Sequence, residues 1–492
     1  MQQNKDGLPK LYKQFGLFSV SLVLVFSQLN AGSFEEFKRS QSESFKKYKD
    51  EKDVAFNKYL KAQWNAYSAK KVAEEYEKPK PSKIPKAKPL EVKKVGPLVN
   101  VKVEEKKPVV EKQKVIEEPI EEDVEVKITV KKDIEFDFFG SRLGFNIPLD
   151  VKRATFYPRN QEGISNYFDS VASSEYEPFI KSIRKVKKEL ELNDWGVYLL
   201  VNEITKRAYN VDDNSKLLSW FIFNKLGYAV KVGLAKKHVI VLYSSDKTIY
   251  STPNYSFGKK KYYIISRYAQ SSVGRLYSYE QNYPGSDKAL DLSIDKLPNF
   301  VENIKTKEIG FREDEKEFKV KIDYNQNLID FMGTYPQADY ETYFNAPLQK
   351  STYNQLAEAI KKEVDGKKMS EALNFVLHFV QKSFKYQMDN AQFGREKVMF
   401  AQETLYYDKS DCEDRAVLFS NLIKDLFGVG VIGVKYKDHM ATALYIPMDG
   451  DTVYAGSKRF VIADPTYINS SIGQSMPKYK PKKPEKFIVL KK

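Results

Sequence analysis

A chain of 492 residues is too long for one small domain, and at about 150 residues per domain it suggests about three units. Hydrophobic residues at 42% and aromatics at 14% exclude wholesale disorder; a single cysteine excludes an intrachain disulfide framework and a cysteine-clustered zinc site, and three histidines leave little for other metal chemistry. The 81 Lys and Arg against 66 Asp and Glu give a net charge of +15, which suits anionic partners.

At the N-terminus, Lys5, Lys10 and Lys13 precede an apolar run from Phe15 to Phe26, broken by Gly16, Ser19 and Ser21. The run is short for a membrane span and has the length of a signal-peptide core. Residues 1–31 are therefore read as a signal peptide cleaved after Ala31, with an uncleaved N-terminal anchor as the alternative. The chain is expected to be exported, to a periplasm or cell envelope, which argues against nucleic acid as a partner. No cysteine follows the run, so a lipoprotein is excluded.

Residues 32–77 are expected to form a long amphipathic helix, because no Pro or Gly falls between Ser33 and Tyr76. Phe34, Phe45, Phe56 and Tyr67 recur every eleven residues, and Phe37, Tyr48 and Tyr59 follow the same spacing three residues on. An 11-residue repeat keeps both series on one helix face. That face suits a partner helix through self-association over 33–76, the protein's own body, or a membrane.

Residues 78–132 read as a disordered linker rich in Lys, Pro and Glu. Seven of the 21 prolines lie between Pro79 and Pro119, and the stretch is almost free of aromatics. Its first part, 78–103, holds eight Lys against one Glu, and 104–125 holds nine acids against four Lys. Residues 477–492, with seven Lys against one Glu, read as a basic tail. Such stretches are solvated spacers or contacts for an anionic envelope polymer or membrane surface. Residues 133–335 carry no evident motif of their own.

The one constellation with chemistry surrounds the sole cysteine, in Asp411-Cys412-Glu413-Asp414-Arg415-Ala416. Apolar residues at helical spacing follow (Ala416, Leu418, Phe419, Leu422, Ile423, Leu426), and Gly428 marks a C-cap. Ser410 or Asp411 can cap the start, so Cys412 falls in the first helical turn. There the helix dipole and free backbone N–H groups favour thiolate and offer an oxyanion donor. Val429 to Tyr436 reads as a strand; His439 heads the next, and a third, Arg459 to Ala463, ends in Asp464-Pro465-Thr466-Tyr467. Adjacent antiparallel strands bring His439 and Asp464 together beside the cysteine, an arrangement for Cys–His–Asp covalent catalysis.

These residues resemble the transglutaminase-like superfamily, closest to its bacterial transglutaminase-like cysteine proteinases, over about residues 336–476. Upstream, Phe375 to Gln381, Tyr386 with Asp389, Gln392 to Glu396 and Glu403 to Leu405 join the resemblance. It implies an α+β fold with a papain-like core, in which the nucleophile helix packs on an antiparallel sheet. It further implies Cys412 as nucleophile, His439 as general base and acid, and Asp464 as the orienting carboxylate. Gln392 and Tyr406 are candidates for a second oxyanion donor. Arg415 is expected to pair with Glu413, Asp414 or Glu396 and hold the site beside Asp411. His378 reads as a packing residue. No metal and no cofactor are required.

A displacement of 201 positions lays Val211–Tyr243 on Cys412–Leu444, with eight of 33 positions identical, among them Asp213 on Asp414, Gly227 on Gly428 and His238 on His439. Trp195 to Ala208 then precedes the first helix as Leu373 to Phe384 precedes the second. Residues 133–335 are accordingly expected to form a degenerate transglutaminase-like α+β domain, with Val211 in the place of Cys412 and His238 lacking a partner. The functional expectation is an exported peptide-bond hydrolase acting through a cysteine thioester on envelope proteins or peptides. A cross-linking transglutaminase and a non-catalytic peptide-binding scaffold are the alternatives.

Overall fold

The chain from Phe56 onward forms one unit, and residues up to Ala55 belong to another. The computed structural model describes residues 51–62, 64–73, 84–88, 90, 93–101, 103, 132–265, 274–313 and 315–491. The apolar run 15–26, Ala31 and residues 33–50 of the expected helix lie outside these. Among the described residues no helix is long and apolar enough to cross a membrane.

The aromatic stripe explains why the N-terminal helix ends at Leu60 and does not continue to Tyr76. Phe56, 1% exposed, is packed among Phe168, Trp220, Tyr279 and Tyr283 with ring centroids 5.3–6.1 Å away. Beyond a turn at 61–62 the chain becomes strand β1 (Asn65–Ser68), and Tyr67 packs on Phe257 at 4.2 Å. Burying these rings on the protein's own body stabilises the unit more than further helical turns in solvent. The described part of the stripe is thus buried on the protein's own body, one of the three destinations open to it.

A hairpin of β2 (Ile134–Phe138) and β3 (Ser141–Phe145) precedes the first large sheet. That sheet adds β4 (Val230–Ala235), β5 (His238–Ser244), β6 (Asn254–Phe257), β7 (Lys260–Tyr263) and β8 (Arg275–Ser278), in the order β1-β8-β4-β5-β7-β6, all antiparallel. A long hairpin, β9 (Ile304–Glu313) and β10 (Lys316–Asn325), leads to the second half. There β11 (Lys385–Tyr386) and β12 (Lys409–Ser410) form a short parallel pair. The second large sheet comprises β13 (Val431–Tyr436), β14 (His439–Leu444), β15 (Thr452–Ala455), β16 (Lys458–Ala463) and β17 (Lys486–Val489), in the order β15-β16-β14-β13-β17 and again antiparallel.

Alternation along the strands divides each sheet between two apolar clusters. Val431, Met440 and Leu444 face the helices Met369–Ser383 and Cys412–Phe427, while Ile432, Val434, Tyr436, Ala441 and Ala443 face a second cluster with Met476 and Tyr479. The first sheet does the same: Val230 and Val232 face Asp194–Ala208 and Asp212–Lys225, while Ile240 and Leu242 join a separate cluster with Tyr255 and Tyr262.

The two sheets share one topology. The order β8-β4-β5-β7-β6 matches β17-β13-β14-β16-β15 strand for strand. Val230 pairs with Tyr243 and Ala235 with His238, as Val431 pairs with Leu444 and Tyr436 with His439, a constant displacement of 201. The helix pairs correspond too, with one difference. In the first half Ala208 leads almost directly to Asp212, whereas in the second the chain from Phe384 to Asp411 makes an excursion through β11, two short helices and β12. His238 is not without a partner: its Nδ1 lies 3.4 Å from Asp213 Oδ2. Val211, in the position of Cys412, is half exposed.

Two stretches read from composition as solvated are built into the fold. Residues 84–101 are not spacer in their described part. Ala87 donates its N–H to Ile468 O at 2.7 Å, Val99 N–H goes to Lys367 O at 2.9 Å, and Val101 N–H goes to Asp365 Oδ1 at 3.0 Å, with Val99 and Val101 buried. The basic tail is not a tail either, since its Lys486–Val489 is β17 on the edge of the second sheet, and that half continues past Met476. In both cases backbone pairing and a few alternate apolar side chains outweigh a charged composition.

Phe56→Ala is expected to cost about 3–5 kcal/mol by urea unfolding, the range for a large aromatic removed from a core. A fragment beginning at residue 133, which loses β1, Phe56, Val99 and Val101, should likewise show a lower urea midpoint than the longer chain. A second expectation comes from Glu313, whose Oε1 meets His378 Nδ1 at 2.8 Å and Lys382 Nζ at 2.6 Å. The hydrogen bond from His378, then that from Lys382, hold its carboxyl at about 2, below the usual 4.5. The stabilisation is full above 4.5 and is lost as pH falls toward 2, because the unfolded chain takes up the proton first. Glu313→Gln should flatten acid unfolding in that window, measured as urea midpoints against pH.

Candidate active site

The helix Cys412–Phe427 begins with a reciprocal cap between Asp411 and Asp414, in which Asp411 N–H donates to Asp414 Oδ2 at 3.1 Å and the Asp411 side chain accepts from the Asp414 backbone. It ends at Gly428 with φ +63°, the left-handed C-cap expected for glycine. Cys412 is its first residue and 0% exposed.

Arg415, one turn further on, is fully buried, and its partners differ from those expected. Its guanidinium donates to Ser410 Oγ at 3.1 Å, to Gln381 O at 3.3 Å and to Phe384 O at 2.7 Å, and it lies over the Tyr386 ring at 5.7 Å. It therefore satisfies the C-terminal carbonyls of the neighbouring helix Met369–Ser383, where acidic partners were anticipated. Burial lowers the guanidinium only to about 10, so it stays charged.

His439 heads β14, and its Nε2 is 2.7 Å from Asp464 Oδ2, each side chain being 2% exposed. Thr442 stands opposite Ala463, so Asp464, just past β16, reaches His439 diagonally. The other carboxylate oxygen accepts N–H bonds from Thr466 at 2.9 Å and Tyr467 at 3.2 Å. From the helix Met369–Ser383, Gln381 Nε2 holds Asp464 O at 3.0 Å and Ser470 O at 3.1 Å. Tyr479 stacks on the imidazole, with centroids 4.7 Å apart and planes 22° apart, and Tyr436 meets both rings, 5.0 Å from Tyr479 and 6.4 Å from the imidazole.

Sequence and structure part company on the thiol. The Met440 backbone, next after His439, hydrogen-bonds to the sulfur, and Sγ donates to Glu413 Oε2 at 3.1 Å. Burial, then the charges of Glu413 and Asp411, push the thiol well above its ordinary value despite the Met440 bond. The surroundings thus oppose the dipole-stabilised thiolate that was expected. About half a positive charge at a helix terminus is outweighed by two adjacent carboxylates and the loss of water.

Of the remaining candidates, Gln392 makes a long 3.5 Å bond to Lys409 O, and Tyr406 packs its ring on Tyr324 and Tyr407 while its carbonyl accepts from Lys307. Tyr386 is the aromatic side chain at the cysteine. It is placed by β11 opposite Ser410, and burial, then Cys412, Asp411 and Glu413, raise its hydroxyl. Residues Asp389, Asp411 and Glu413, all buried, place carboxylate oxygens within 4.8 Å of one another. Such an all-oxygen set could hold a hard divalent cation, whose charge would oppose the carboxylates acting on the thiol. Tyr479 escaped sequence reasoning, and Gln381 entered it only as the end of the segment from Phe375, without a role, because nothing local in a Lys-Pro tail or a helix interior signals a contact this distant in the chain. A cavity of about 300 Å³ lies in the first half, lined in part by Asn202, Lys206, Asp212, Ser215 and Tyr243, whereas Cys412 itself is sealed.

No protein-family model matches the chain, and no curated protein or solved structure matches it.

Asp414 offers a pH test of this buried network. Burial, then Asp389 and Glu413, push its carboxyl up to about 8 from 3.8. The native protein therefore keeps a proton that the unfolded chain releases, and folding stability should fall as pH rises from about 4 to about 8. Asp414→Asn should remove much of that slope, read from urea midpoints at several pH values.

Proposed function

We propose that the protein is an exported cysteine-dependent peptide-bond hydrolase of the transglutaminase-like kind, with a papain-like core in its second half. The observation that carries this reading is the buried His439–Asp464 hydrogen bond, next to a helix whose first residue is the sole cysteine and whose sulfur meets the N–H of the residue after His439. Residue types, chain order and kinds of element all fit nucleophilic catalysis.

In the proposed cycle His439 takes the Cys412 proton and the sulfur adds to the amide carbonyl carbon. The C–N bond breaks as the imidazolium protonates the leaving amine, and a thioester forms. Imidazole then removes a proton from water, whose oxygen displaces the sulfur, releasing the acid and returning the thiol. Asp464, its other oxygen fixed by two backbone N–H groups, orients the ring. Backbone N–H groups of the helix start are the candidate oxyanion donors. With a lysine amine in place of water, the same thioester would cross-link proteins. The first half, with matching topology but Val211 at the position of Cys412, reads as a degenerate copy that docks substrate, and its cavity fits that role.

One observation favours a non-catalytic peptide-binding scaffold: the thiol is sealed from solvent, where burial and the neighbouring carboxylates work against a thiolate. Incubation with envelope extract separates the readings. New peptide N-termini lost in Cys412→Ala support hydrolysis, ammonia release with amine incorporation supports cross-linking, and an unchanged phenotype of Cys412→Ala supports the scaffold. Asp464→Asn is expected to lower turnover by about 10²–10⁴-fold with little change in the circular-dichroism melt.

A further inference from the structure

Pro477–Pro484 crosses the second sheet as a span tethered at both ends. Before it, Ser475 N–H donates to Asp451 Oδ2 at 3.0 Å; after it, Glu485 N–H donates to Lys435 O at 2.7 Å and β17 begins. Within it, Tyr479 is the only side chain directed deep into the protein, 6% exposed, with its ring on both His439 and Tyr436. Cations flank that ring. Lys478 pairs with Asp438, Lys482 stands 4.0 Å from the same carboxylate, Lys480 pairs with Asp451 at 3.0 Å, and Tyr479 Oη donates to Asp438 O at 3.2 Å. Asp438 is the residue before His439, so the span is fastened to the turn that carries the imidazole.

We infer that Pro477–Pro484 is an autoinhibitory strap, with Tyr479 as its latch, and that it must lift before a substrate can reach His439. The inference rests on the proposed role of His439 in hydrolysis. An imidazole 2% exposed beneath a stacked ring cannot exchange protons with a bound peptide or water. The fastenings suit a reversible gate. The three lysine–aspartate contacts are largely at the surface, where such pairs are weak and screened by salt, and the remaining fastenings are the ring contacts of Tyr479 and its one hydroxyl bond. Together they permit opening without unfolding of the sheet, because both tethers, Ser475 N–H on the Asp451 carboxylate and Glu485 N–H on Lys435 O, lie outside the span.

The test is the rate of carbethoxylation of His439 in the full chain, followed by peptide mass spectrometry. His238, whose side chain is 64% exposed, is the internal reference for reagent activity. Relative to His238, His439 should react slowly in the wild type and about tenfold or more faster in Tyr479→Ala. Asp438→Asn, which loosens the fastening and leaves the stack, should accelerate it less, and about 1 M salt should accelerate the wild type more than Asp438→Asn. Equal His439 rates in the wild type and both variants, with melts showing all three folded, overturn the strap. If His439 becomes reactive as expected yet no variant hydrolyses peptides, the strap stands and the hydrolase reading fails.

Discussion

The buried guanidinium of Arg415 is the interaction on which the second half depends. It closes the end of the helix Met369–Ser383, reaches back to Ser410 at the start of its own helix, and supplies positive charge among Asp411, Glu413, Asp414 and Asp389. A charge there is tolerable because its hydrogen bonds are made and an aromatic face covers the plane. Removing it would leave two helix-end carbonyls and a set of acids without compensation. Both Cys412, one turn earlier, and Asp464, held through Gln381, take their positions from the junction it fastens.

Much of this centre was legible from residue order. Asp411 and Gly428 cap the cysteine helix as their side chains and conformational freedom dictate, and apolar alternation fixes β13 and β14 at 431–436 and 439–444. The described part of 84–101 and the segment 477–492 were misread for a common physical reason. Composition reports whether a segment can bury a core by itself, but residues 84–101 and β17 complete edges and faces that other segments supply. The aromatic repeat correctly marked Phe56 and Tyr59 as one buried face, yet periodicity alone carried the helix past Leu60, where Trp64 and the rings of the first half claim the chain. The thiol's state was also outside reach. It depends on Glu413 and Asp411 pointing inward, and a carboxylate beside a helix start is as often found in solvent.

The repeated topology shows where novelty was added. Both halves have the same helix pair and five-strand order, and the register of their central hairpins is identical. What separates them is the excursion from Phe384 to Asp411. It contributes Tyr386, Asp389, and Glu403 with its 2.5 Å contact to Lys397, all next to Cys412 or its neighbours. The first half lacks this layer and keeps only an exposed His238 facing Asp213.

The backbone bond from Ala87 to Ile468 also bears on how the molecule acquires its structure. Residues far apart in sequence meet there, as they do where β17 lies against β13. Contacts so remote in sequence form late and slowly, since the whole intervening chain must first be confined. Strands β4 to β8 of the first sheet can therefore form from segments close in sequence, whereas residues 84–88 and β17 join only after distant parts of the chain have met.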